Sequence, residues 1–323
     1  MKQIGILGMG LLGRGIAACL LAHDVRLTIF STNASEYELA AEAIEKSLDE
    51  LSRRGLVTSQ LHASWQQRIQ WAQSLDELAP CEFVIESIIE SLAAKHAVYE
   101  RLEALLPADT PIATNTSSLP IADLQAGCRH PERLIGMHWA EPAHATRFLE
   151  VVRGPATNQR TLDLTLKLAV DLGKEPCVVS SALPGFIANR LGYALYREAL
   201  HLLREGVADA ATIDCAFRNS VGLWAAACGP LRWIDLTGGP ALYLRAMDNV
   251  LPSLSTATST AELDSEAVNR EDTGILNGTG FYRYTPEETA DWQRRFHEHV
   301  WTIRTMQDKE FPLPEQVPSD ANN

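Results

Sequence analysis

The chain lacks the features that mark several large classes of protein. Its six cysteines (Cys19, Cys81, Cys128, Cys177, Cys215, Cys228) are scattered over 323 residues with no C-x-x-C pair. That spacing supplies neither a disulfide framework nor a zinc site, and in a chain this long it suits a reducing compartment. Basic residues are also scarce: 28 Lys and Arg face 41 Asp and Glu, a formal net charge of −13. An acidic body repels phosphate backbones and anionic lipid, so neither nucleic acid nor a membrane is an expected partner. No stretch approaches the ~18 uninterrupted apolar residues of a membrane span. The apolar run from Ile4 to Ala22 resembles a secretory leader, but glycines and Arg14 interrupt it and no cleavage site with a polar break follows. A cytoplasmic protein is expected. Gly (20) and Pro (16) are near ordinary usage, which excludes collagen-like and broadly disordered readings. At 46% hydrophobic residues the chain can bury real cores, and its length suits two domains at ~150 residues each.

The first half alternates strand-like and helix-like segments. Strands are expected at Gln3–Leu7, Val25–Phe30, Ile69–Ala72, Glu82–Glu86, Pro111–Thr114, Leu134–Met137, Phe148–Val152 and Glu175–Ser180. Helices are expected at Leu11–Leu21 and Glu36–Arg54, the second stopped by Gly55. Such alternation implies β-α-β units and a mostly parallel, doubly wound sheet. Beyond Leu183-Pro184-Gly185 the pattern becomes helical, starting with an apolar stripe over Phe186–Glu205. The expected organisation is an α/β domain over residues 1–183 with a helical insertion near 34–66. An all-helical domain follows over 184–311, then a mobile polar tail over 312–323.

Gly8-Met9-Gly10-Leu11-Leu12-Gly13 fits G-x-G-x-x-G between a strand and a helix. The first glycine permits the tight turn, the second lets a pyrophosphate approach backbone, and the third lets helix pack on strand. NAD is the expected cofactor. The same fingerprint calls for an acidic residue at the end of the second strand, where Ser31 stands instead. NADP therefore stays open, discrimination between the two is expected to be weak, and Glu36 is a nearby carboxylate able to stand in.

Farther on, Asn115-Thr116-Ser117-Ser118 follows a strand, His138 falls at the end of one strand, and Glu150 falls inside the next. An antiparallel return between those strands would set the carboxylate against the imidazole, an arrangement suited to general acid/base work. These residues, with Glu90, Lys95, Pro184-Gly185-Phe186-Ile187-Ala188-Asn189-Arg190 and Gly278-Thr279-Gly280-Phe281-Tyr282, resemble the L-3-hydroxyacyl-CoA dehydrogenase family. The resemblance runs from residue 3 to about 285. It implies a Rossmann-type domain, a helical domain that forms a homodimer, and an active site between them. It further implies that His138 is the acid/base, Glu150 its orienting partner, and Ser117 and Asn189 donors to substrate oxygens. Glu90, Lys95, Asn115, Ser117 and Glu141 match positions on the nicotinamide side, and Ser47 and Arg54 match contacts to coenzyme A.

Three positions depart from the family: Ser31 for the ribose Asp, Glu141 for the Asn of H-x-x-N-P, and Leu276 for a Lys before G-x-G-F-Y. The His138-Trp139-x-x-Pro142-x-His144 form also resembles a branch acting on small hydroxy compounds that carry no coenzyme A. Three functions follow from the sequence: a 3-hydroxyacyl-CoA dehydrogenase, a dehydrogenase of a small free hydroxy acid or hydroxymethyl compound, and a nucleotide-binding protein without turnover. A related family with a catalytic Lys in its second domain is disfavoured, because no Lys lies between Lys174 and Lys309. His144 is expected to be exposed, and Trp224 and Trp233 to be core residues.

Overall fold

The computed structural model describes residues 2–33, 35–181, 183–263 and 271–313. The tail expected over 312–323 lies outside them from residue 314 onward. Eight strands form one sheet: β1 (Lys2–Leu7), β2 (Val25–Phe30), β3 (Ile69–Trp71), β4 (Phe83–Glu86), β5 (Ile112–Thr114), β6 (Leu134–Trp139), β7 (Phe148–Val152) and β8 (Glu175–Val179). Their spatial order is β3-β2-β1-β4-β5-β6-β7-β8. Every neighbouring pair is parallel except β6–β7, which is antiparallel. The order reverses between β1 and β4, the switch point at which open α/β sheets bind ligands beyond their strand ends. The central strands are continuous apolar runs: Ile4, Ile6, Leu27, Ile29, Val84 and Ile85 are fully buried, as a sheet covered on both faces demands.

Helices α1 (Leu11–Leu21), α2 (Glu36–Arg53), α3 (Ser59–Ala63), α4 (Leu92–Leu105), α5 (Ile121–Gln125) and α6 (Gln159–Asp171) belong to the same unit. The run Ile4–Ala22 that resembled a leader is thus β1, the glycine turn and α1. Strand β6 is longer than its sequence suggested, because pairing with β7 continues to Trp139 opposite Leu149. The next helix, α7 (Ala188–Arg204), starts later than expected because Gly185 and Phe186 hold positive φ (81° and 48°), which no α-helix accommodates.

The chain divides into two compact units inside α7, the first reaching residue 189 and the second covering 190–312. The second is helical, with α8 (Ala210–Asn219), α9 (Val221–Ala225), α10 (Pro230–Leu236), α11 (Pro240–Val250) and α12 (Pro286–Glu310). Asp209 caps α8, its side chain accepting from Thr212 N, and Thr285 with Glu288 forms a capping box on α12. Among its described residues only Ser255 and Trp301 are buried. Trp224 and Trp233 are not core residues: they stack on each other, centroids 5.3 Å apart, and remain half-exposed. No helix among the described residues is long and apolar enough to cross a membrane.

Candidate active site

The glycine turn closes β1 onto α1. A Cβ on Gly8 would lie 2.3 Å from Ser87 O, and one on Gly13 would lie 2.2 Å from Gly8 O. Both therefore pack backbone on backbone. A Cβ on Gly10 would meet nothing within 4 Å, so the space above it is open to a ligand. Gly10 is also the N-cap of α1 and offers no side chain to its first N–H groups, which suits them to a pyrophosphate. The Met9 side chain is buried and Leu11 is exposed, so Met9, Leu11 and Leu12 bring backbone to that site. Leu7, Phe30, Ser31, Thr32 and Glu36 help line a recess of about 500 Å³ beside the turn, a volume within the usual range for a bound small molecule. The residues fit a dinucleotide.

At the C-terminal ends of β4 and β5, two carboxylates organise the backbone. Glu86 is fully buried; its Oε1 accepts from Lys95 Nζ (2.6 Å) and Ile88 N (2.8 Å), its Oε2 from Tyr99 and Thr114 hydroxyls (2.7 Å each). Lys95 is accordingly a buried cation spanning Glu86 and, at 3.5 Å, Glu90. Glu90 Oε1 accepts from Thr116 Oγ1 (2.6 Å), Ser117 N (3.0 Å), Ser118 N (2.9 Å) and Ser118 Oγ (2.9 Å). Desolvation pushes the Glu90 carboxyl up, but these donors and Lys95 outweigh it and hold it down at about 2. Asn115 ties three strand ends together, donating to Ser87 Oγ and accepting from Trp139 N.

The antiparallel register pairs His138 with Glu150. Glu150 is buried, and its Oε2 lies 2.7 Å from His138 Nδ1. Its Oε1 accepts from Ile187 N and Ala188 N, both at 2.9 Å. Burial alone would raise the Glu150 carboxyl; the bonds from His138 and the two amides hold it below the usual range. The positive φ of Phe186 brings its buried ring to 5.6 Å from the imidazole, and Phe148 lies edge-on at 5.9 Å. With Nδ1 committed to Glu150, Nε2 is the nitrogen left for substrate chemistry. Asn189 Nδ2 lies 3.3 Å from Ser117 O, so Ser117, Asn189, His138 and Glu150 share one neighbourhood.

The residues matched to coenzyme A are less clearly presented. Ser47 Oγ donates to Ala43 O within α2, and Arg54 Nη2 lies 3.5 Å from Glu50 Oε1. His144 is not exposed as expected: its Nε2 is 3.2 Å from Glu50 Oε2, and its side chain is only 10% accessible. No partner for that loop is visible along the chain, because Glu50 lies 94 residues away. Glu141 is exposed after β6, and Leu276 is exposed in the second unit. Sequence reasoning missed Glu86, although a carboxylate ending an otherwise apolar strand was a usable signal. It had no signal for the strained Phe186.

The glycine turn fits a dinucleotide, and the imidazole–carboxylate couple lies within the sheet between β6 and β7; both suit a nicotinamide-dependent dehydrogenase acting on a hydroxyl group. The chain belongs to the 3-hydroxyacyl-CoA dehydrogenase family: the family's NAD binding domain matches residues 3–182 and its C-terminal domain residues 185–284. It is 31% identical to 5-formyl-3-hydroxy-2-methylpyridine 4-carboxylate 5-dehydrogenase of Mesorhizobium japonicum, over 94% of this chain and 98% of that protein. It is 33% identical to 3-hydroxybutyryl-CoA dehydrogenase of Bradyrhizobium diazoefficiens, over 73% of this chain and 80% of that one. A crystal structure of a 5-formyl-3-hydroxy-2-methylpyridine 4-carboxylic acid 5-dehydrogenase, described as an NAD+-dependent dismutase, superposes with a TM-score of 0.85 at 28% identity. It covers 95% of this chain and 99% of its own.

Proposed function

We propose that the chain oxidises a small free hydroxy or hydroxymethyl compound, not an acyl-CoA, with NAD as hydride acceptor and His138 as acid/base. The contact between His138 Nδ1 and Glu150 Oε2 at 2.7 Å carries the reaction. It holds the proton on Nδ1, so neutral Nε2 takes the substrate hydroxyl proton and the buried carboxylate stabilises the imidazolium that results. NAD supplies the hydride-accepting ring. Ser117 and Asn189 donate hydrogen bonds to the developing carbonyl oxygen, with Ser117 held by Glu90.

The small-substrate half of the reading rests on charge. Residues 36–54 carry six carboxylates and three cations, a poor surface for the phosphates of coenzyme A. Arg54 is already beside Glu50. Similarity to the pyridine carboxylate dehydrogenase over nearly the full length of both chains points the same way. Nicotinamide absorbance should rise with NAD+ and free hydroxy acids or hydroxymethyl aromatics, and acetoacetyl-CoA should not be reduced with NADH. Efficient turnover of acetoacetyl-CoA alone would overturn this in favour of the acyl-CoA reading.

We also infer a homodimer formed through the second unit. On α7, Leu191 is 52% accessible and Tyr196 60%, and Leu223, Leu231 and Leu236 are exposed as well. Exposed apolar surface on this scale marks an association surface.

A further inference from the structure

The end of β2 raises a question of cofactor choice, because the residue that normally discriminates NAD from NADP there is Ser31. A carboxylate at that point accepts the ribose 2′-hydroxyl and repels a 2′-phosphate. In this chain Ser31 Oγ donates to Glu36 Oε2 at 2.7 Å, and both residues line the recess beside the glycine turn. Glu36 is the first residue of α2, so its carboxylate also gains from that helix's N-terminal dipole. The turn between β2 and α2 is fastened by the neighbouring Tyr37. Its hydroxyl accepts from Ser31 N at 3.0 Å and donates to Ala72 O at 2.8 Å. None of the described residues lining the recess is Lys or Arg.

We propose that Glu36 is the cofactor-specificity residue, replacing from the start of α2 the carboxylate that the end of β2 lacks, with Ser31 orienting it. The recess therefore selects NAD+ and rejects NADP+, in place of the weak discrimination that Ser31 alone suggests. Ser31 thus acts as a positioning residue. The proposal rests on a dinucleotide occupying the recess but not on the identity of the substrate.

Equilibrium titration of the purified protein with NAD+ and with NADP+, without substrate, tests it. The wild type should bind NAD+ about 100-fold more tightly, since like charges in contact strongly disfavour a partner. Glu36→Gln should weaken NAD+ by about 10-fold, the lower end of the worth of a hydrogen bond to a charged group because the amide oxygen still accepts, and should strengthen NADP+. Their preference should collapse to within a factor of about five. Glu36→Asp keeps the charge on a shorter arm and should still reject NADP+, whereas a purely structural role at the start of α2 would give no such split between Gln and Asp. Ser31→Ala should weaken NAD+ a few-fold without helping NADP+. An unchanged preference in folded Glu36→Gln, or equal binding of both dinucleotides by the wild type, would overturn the assignment of Glu36. Failure of the wild type to bind either dinucleotide would overturn both this inference and the dehydrogenase reading. Loss of turnover with binding intact would strike the reading alone.

Discussion

Replacing Glu150 by Gln exchanges one carboxylate oxygen for an amide in a buried site and leaves nearly everything else in place. Ile187 N and Ala188 N both point at Oε1 from 2.9 Å, so the amide must orient its oxygen toward them and its NH2 toward His138. Nδ1 must then accept, the ring proton moves to Nε2, and Nε2 can no longer take a proton from a hydroxyl. The imidazolium also loses its charged partner. A hydrogen bond to a charged group contributes ~1.5–3 kcal/mol, roughly 10- to 150-fold in rate. The tautomer defect adds to this, giving an expected fall in kcat of ~10²–10⁴-fold. NAD+ affinity should stay within about threefold, because Glu150 makes no contact with the glycine turn. Glu150→Ala differs in that it abandons two buried amides, and should destabilise the protein by ~1–3 kcal/mol for each. Steady-state oxidation kinetics beside dinucleotide titration and thermal melting separate these effects. A Glu150→Gln enzyme with wild-type kcat would refute the role given to the couple.

The glycines offer a paired test. Gly13→Ala should lower stability by ~1–3 kcal/mol through overpacking on Gly8 O, whereas Gly10→Ala should melt like the wild type yet bind NAD+ poorly, the methyl sitting where pyrophosphate approaches. Equal melting temperatures for the two variants would contradict the geometry. Glu90→Gln should reduce kcat/KM roughly tenfold by loosening residues 116–118, while the NAD+ dissociation constant changes less. Glu90 has a folded value of about 2 against an ordinary 4.5. Its contribution to stability is therefore complete above about 4.5 and lost as pH falls toward 2. Melting temperatures should drop across that window, and less steeply in Glu90→Gln. Light scattering should give twice the chain mass; a monomer at micromolar concentration would contradict the inferred dimer.

Much of the first unit was legible because its strands are short, mostly apolar runs between helix-forming segments and its chemistry sits at strand ends. The His138–Glu150 pairing followed from a hairpin of two strands close in sequence. What stayed hidden depends on distant partners or on strain. His144 looked exposed until Glu50 came to meet it, and nothing near Lys95 in the sequence showed that Glu86 holds it buried. The start of α7 was misplaced because an apolar Phe186 fits a helical stripe and nothing in its chemistry announces a left-handed backbone. In the second unit the apolar spacing gave the helices, yet hydrophobic residues read as core, such as Trp224 and Trp233, stay half-exposed.

The single antiparallel step in the sheet makes the imidazole–carboxylate couple a local object. Its two members are 12 residues apart along the chain, so the couple can assemble with one hairpin, at low loop-closure cost, before distant strands dock. The same locality divides the hairpin into tolerant and intolerant stretches. A change in length between Trp139 and Phe148 leaves the pairing in register, although it disturbs a loop that buries Ala143 and Ala145 and holds His144 against Glu50. One residue inserted between Gly136 and His138, or between Glu150 and Val152, would slide a strand by one step and turn one partner to the opposite face of the sheet.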